Sequence, residues 1–172
     1  MRRYMSGLLV LFFVMVLGNF RPAALVATEQ GDPLKKSIVK IFAVYKQANY
    51  DQPWQMRAQK DGTGSGCIIE GNRILTNAHV VSDQSYIEVI RAGEVKRFTA
   101  SVEYVAHDSD LALLTVEDEQ FFEDAAPLPF GVMPSLQDAV SVYGFPLGGD
   151  KLSITEGVVS RIEMQGYAHS HM

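Results

Sequence analysis

Residues 62–81 read GTGSGCIIEGNRILTNAHVV, and the fold turns on this stretch. Two short apolar runs, CII at 67–69 and RILT at 73–76, flank Glu70-Gly71-Asn72. A Gly-Asn pair accepts the left-handed backbone of a tight hairpin, so the spacing predicts two antiparallel strands joined by that turn. The hairpin delivers His79 in the segment TNAHVV at 76–81. Its neighbours are small or β-branched, so the ring is expected to leave the strand end through a tight turn and face a cleft. A lone histidine is ordinarily a packed or surface residue, but this one has a counterpart. HDSDLALL at 107–114 sets acidic residues at the mouth of an apolar strand.

The chain has 172 residues, 47% hydrophobic and 20% charged, which fits one globular domain with a sizeable core. Glycine and proline scattered among runs of Val, Ile, Phe and Tyr favour strands and turns over long helices. The start differs in kind: Arg2 and Arg3 precede the apolar run LLVLFFVMVL at 8–17, followed by smaller and more polar residues. That is a signal-peptide layout over residues 1–27, with cleavage expected near Ala27 although Leu25 matches the usual small-residue pattern poorly. It implies an exported chain, periplasmic or secreted. The alternative is an uncleaved inner-membrane anchor, yet the run would make a helix of about 15 Å, roughly half the hydrocarbon thickness of a bilayer. Losing residues 1–27 removes Arg2, Arg3 and Arg21 from 15 basic residues and none of the 20 acidic ones, so the net charge falls further below −5. Nucleic acid is therefore a disfavoured partner. Cys67 is the only cysteine, which excludes an internal disulfide and any multi-cysteine zinc site within this chain.

After an N-terminal segment at 28–36, SIVKIFAVY at 37–45 is apolar on both faces, as a strand in a barrel wall would be. Residues 47–60 read as a long hairpin connection, with Trp54 expected to pack over a barrel edge. Strands follow at 85–90, at 95–105 after a turn at Ala92-Gly93-Glu94, and at 110–116. Six strands within residues 37–116 suffice to close a small antiparallel barrel and remove its exposed edges. Residues 117–136 form a linker of acidic residues and prolines, in which Phe121 and Phe122 are expected to tuck against the barrel. Residues 137–172 begin a second unit, with strands near 138–146 and 152–162.

TNAHVV and SDLALL together resemble the His and Asp segments of trypsin-like serine proteases of the HtrA/Deg family. The resemblance covers about residues 37–167 and takes in GTGSG ahead of the second strand, ILTNAHVV, HDSDLALL, VSVYGFPLGG at 140–149 and ITEGVVSRIE at 154–163, in family order. Asn49-Tyr50 with Pro53-Trp54-Gln55, and the run at 144–150, look closest to the Deg branch. The resemblance implies an all-β, chymotrypsin-like fold of two antiparallel barrels, the first complete here and the second truncated. It implies His79 as general base and Asp110 as the carboxylate that orients it, in a Ser-His-Asp triad for peptide-bond hydrolysis. Asp110 is preferred to Asp108 because it stands directly before the Leu-Ala-Leu-Leu strand; Asp108 is expected to be a turn residue bonding its own backbone. No cofactor or metal is implied. The implied partners are polypeptides, unfolded or damaged ones in particular, and the family resemblance adds a homo-oligomer as a further expectation.

The chain departs from the family at the nucleophile. No Gly-Asn-Ser-Gly-Gly follows Asp110, and Ser135, Ser141, Ser153, Ser160 and Ser170 lack the neighbouring glycines that let backbone N–H groups converge into an oxyanion hole. The expectation is an inactive fragment carrying His and Asp but no nucleophilic serine. The rival is a non-catalytic, protease-like barrel that binds a partner or unfolded chains. A metal site from His107, His169 and His171 is a third idea, for which a histidine-bearing tail is the ordinary explanation.

Overall fold

The structure, a computed structural model, describes residues 33–163. Six strands, β1 (Ile38–Tyr45), β2 (Lys60–Ile69), β3 (Arg73–Thr76), β4 (Gln84–Arg91), β5 (Phe98–Ala106) and β6 (Leu111–Val116), close a barrel in the order β1-β2-β3-β6-β5-β4. This is the expected antiparallel barrel. Alternation along each strand sends Val39, Ile41, Ile68, Ile74, Val89 and Leu114 into an interior from which water is excluded. Each such side chain contributes about 1.5–3 kcal/mol by burial. The β2–β3 hairpin turns where expected, with Gly71 at φ 82° and Asn72 at φ 55°, both left-handed, and Ile68 opposite Ile74.

Two expectations about the barrel differ from the structure. GTGSG lies inside β2, not before it. A Cβ on Gly64 would stand 2.5 Å from Val80 Cγ1, and one on Gly66 would stand 2.9 Å from the Leu75 carbonyl oxygen, so the strand is bare where the Val80 side chain and the β3 backbone press against it. Trp54 does not cover a barrel edge: it is 80% exposed, and Tyr50 is 87% exposed. The connection between β1 and β2 is closed by its own backbone, Asn49 N–H donating to Gln55 O at 3.1 Å and Arg57 N–H to Gln47 O at 2.8 Å, and is tied at its base to Asp83 by the Lys46 N–H and Gln47 Nε2.

Phe121 and Phe122 pack against the barrel as expected. A 3-10 turn at Glu119–Phe122, capped by the Asp118 side chain, buries Phe121 edge-on to Phe98 at 5.1 Å and leaves Phe122 partly buried. Ser37 Oγ donates to the Ala126 carbonyl and Leu128 N–H to Ile68 O, sewing the linker to the barrel. Beyond it, β7 (Ala139–Gly144) and β8 (Ser153–Val158) form a two-stranded antiparallel sheet. Lys40, buried within β1, reaches across to it: Nζ donates to Gly148 O at 2.9 Å and to Asp150 Oδ1 at 3.1 Å. Phe145 N–H donates to Ser65 Oγ at 2.8 Å beside it.

Candidate active site

His79 leaves the barrel on a one-turn helix, α1 (Ala78–Val81), where the sequence led us to expect a tight turn. The helix forms because Ala78, Val80 and Val81 are buried while His79 is the residue left on the outside. Its seat is built from below: Gly64 admits Val80, and Tyr45 Oη donates to Val80 O at 2.8 Å. Burial pushes the Tyr45 phenol above its ordinary range, so the group is a neutral donor at any ordinary pH.

The partner comes from the neighbouring strand of the barrel. β3 pairs with β6 in a register that sets Thr76 opposite Ala112, which brings the chain just after β3 alongside the residue just before β6. That residue is Asp110, held at φ 54°. His79 Nδ1 stands 2.7 Å from Asp110 Oδ2, and the His79 backbone N–H donates to Asp110 Oδ1 at 2.9 Å. The carboxylate is 15% exposed and the imidazole 63%, so the acceptor is sheltered while the ring faces solvent. With Nδ1 turned to the carboxylate, Nε2 is the nitrogen left to take a proton. Beside the ring lies an open cavity of about 250 Å³ lined by Tyr45, Gln47, Ala58, Lys60 and Asp83.

The structure therefore brings His79 and Asp110 together. Asp108 sits exposed in the turn at 107–110, and that turn is closed by Ser109 and Asp110 N–H groups donating to Ala106 O and His107 O, not by Asp108. His107 lies in the same turn, and His169 and His171 fall outside the described residues. Among the described residues no group of three or more His, Cys, Asp or Glu is placed to hold a metal ion. Ser141 and Ser153 lie on β7 and β8, Ser135 and Ser160 lie on either side of that hairpin, and Ser170 is outside the described residues. One residue escaped the sequence reading. Asn77 donates from Nδ2 to Asp110 O at 3.1 Å and to Asp110 Oδ2 at 3.3 Å. Its place in TNAHVV, one residue before a helix, was the available signal.

A closed antiparallel barrel with an imidazole–carboxylate pair at its rim, followed by the start of a second antiparallel sheet, is a chymotrypsin-like architecture. The model of the trypsin-like peptidase domain matches residues 64–172. Protease Do-like 4, mitochondrial, from Arabidopsis thaliana is 46% identical over 133 residues, 77% of this chain and 26% of that protein. The serine protease DegP homolog of Plasmodium falciparum (isolate 3D7) is 46% identical over 136 residues, 79% of this chain and 16% of that protein. Among solved structures, the active form of the Rv3671c protease from M. tuberculosis matches 73% of this chain and 48% of its own, with a TM-score of 0.56 and 30% identity. The chain belongs to the HtrA/Deg family of trypsin-like peptidases. It spans about a quarter or less of the length of these two curated relatives. The expected periplasmic location gains no support from them, since the Arabidopsis relative's name places that protein in mitochondria. The expected leader at 1–27 lies outside the described residues, among which no helix is long and apolar enough to cross a membrane.

Proposed function

We propose that this chain supplies the general base and the orienting carboxylate of a serine endopeptidase, His79 and Asp110, and that the nucleophilic alcohol comes from polypeptide other than these 172 residues. The observation that carries this is the 2.7 Å approach of His79 Nδ1 to a sheltered Asp110 Oδ2. The carboxylate fixes the tautomer with hydrogen on Nδ1 and stabilises the imidazolium. Nε2 takes the proton from the alcohol as it attacks the peptide carbonyl, then returns it to the leaving amine. The absence of a Gly-Asn-Ser-Gly-Gly sequence supports the view that these 172 residues alone are inert. The substrates are polypeptides, unfolded or damaged ones first among them. Residues 1–27 act as a targeting leader on this reading.

The test is complementation. The chain alone, incubated with casein, is expected to release no peptides. Fused at its C-terminus to the remaining strands of a Do-like relative, including the serine loop, it is expected to hydrolyse casein. His79→Ala then lowers kcat by about a millionfold and Asp110→Asn by about ten-thousandfold. Casein cleavage by the unfused chain that His79→Ala abolishes, or fused turnover indifferent to His79→Ala, overturns the proposal. A fused protein that binds unfolded casein without cleaving it favours the non-catalytic barrel.

A further inference from the structure

We propose that Asn77 is a positioning residue for the His79–Asp110 pair, clamping Asp110 instead of capping the helix it precedes. The inference rests on the reading of His79 as a base, and begins with a job left undone. Asn77 occupies the N-cap position of α1 with the extended backbone such a residue has, φ −88° and ψ 146°, yet its side chain makes no capping bond. Asparagine is among the best residues for that task. The N–H it would ordinarily help to satisfy at the start of α1, that of His79, is taken by Asp110 Oδ1 at 2.9 Å, from the start of the adjacent strand.

The Asn77 amide is directed at the same aspartate. Nδ2 lies 3.1 Å from the Asp110 carbonyl oxygen and 3.3 Å from its Oδ2, so one side chain grips both the backbone and the carboxylate of a single residue. That residue needs holding. At φ 54° Asp110 is in the left-handed region, which an L-amino acid adopts at a cost that the surroundings must offset. Gripping the carbonyl restrains the backbone; gripping Oδ2 restrains rotation of the carboxylate. Oδ2 is also the oxygen that faces His79 Nδ1. With His79 N–H on Oδ1 and Asn77 on Oδ2, the carboxylate cannot turn away from the ring without breaking hydrogen bonds on both oxygens. Asn77 therefore acts through Asp110 to keep hydrogen on Nδ1 and leave Nε2 as the acceptor.

The experiment reads the ring proton directly, in the 172-residue chain at pH 8 by nitrogen and proton NMR. Ring nitrogen shifts of His79 report the tautomer, and the exchange rate of the Nδ1 proton reports how firmly it is held. Asn77→Ala is expected to speed that exchange by about tenfold, the factor corresponding to loss of one hydrogen bond. Asn77→Asp is expected to do the same, although aspartate caps a helix as well as asparagine does, because an ionised carboxylate cannot donate to Asp110. A role in capping predicts the opposite for Asn77→Asp, and that variant keeps the test open should Asn77→Ala fail to fold. Exchange within about threefold of the parent in either folded variant overturns the clamp. The readout is a proton and not turnover, so a failed clamp leaves the peptidase reading standing, and absent turnover in the fused protein leaves the clamp standing.

Discussion

Cys67 lies half-buried on β2, beside an apolar cavity lined by Ile38, Leu75, Leu111 and Tyr143. Burial pushes its thiol above the ordinary range, because the thiolate loses solvation that the thiol does not need. Two consequences have a definite sign. Alkylation by iodoacetamide at pH 8 is expected to be at least about tenfold slower in the folded chain than in guanidinium, as followed by mass spectrometry. The folded state also favours the protonated thiol, so the associated stability is present below the ordinary thiol pKa and is lost as pH rises through the raised folded value. Tyr45 has the same sign at higher pH. Equal alkylation rates in the two states would refute the burial argument. At this scale Asp110 could be chosen over Asp108 by its place at the start of an apolar strand. Lys40 and Asn77 could not be read in the same way: a lysine in a barrel strand is ordinarily turned to water, and an asparagine before a helix is ordinarily its cap.

Among the elements, β2 shows best why composition misleads. Three glycines in five residues look like a loop, and glycine weakens a strand interior; here Gly64 and Gly66 let α1 and β3 approach closely, and Gly62 makes room for the Tyr45 ring. Gly64→Ala is expected to force Val80 out of its seat and cost about 1–3 kcal/mol, seen as a melting temperature lowered by roughly 5–15 °C. Val80→Ala added to Gly64→Ala should restore part of that loss, because the two side chains collide with each other. Full additivity of the two changes would show that the contact is not the cause. The β2–β3 hairpin was legible from Gly71-Asn72, whose backbone demands belong to the residues themselves. The outward arm carrying Trp54 was not, since backbone bonds from Asn49 and Arg57 decide its course and side-chain hydropathy carries no trace of them.

For the whole molecule, the two sheets differ in how they are held. Every barrel strand is paired along both sides, whereas β7 and β8 pair only with each other among the described residues. Val142 and Val158 on that hairpin are 64% and 61% exposed, and Lys40, through Gly148 and Asp150, is one of its few anchors on the barrel. A two-stranded sheet is at best marginally stable in water. Amides of residues 139–144 and 153–158 are therefore expected to exchange with deuterium at least about a hundredfold faster than those of β1, measured by mass spectrometry. Lys40→Met should widen that gap, and equal protection of both sheets would contradict it.

The pairing of β3 with β6 has a temporal meaning as well. On a growing chain, His79 emerges well before Asp110, and the two cannot meet until the last strand of the barrel has been threaded into place. An imidazole that has found its carboxylate thus reports that β6 has docked beside β3, and a nascent chain still lacking β6 holds a histidine with no such carboxylate to lean on.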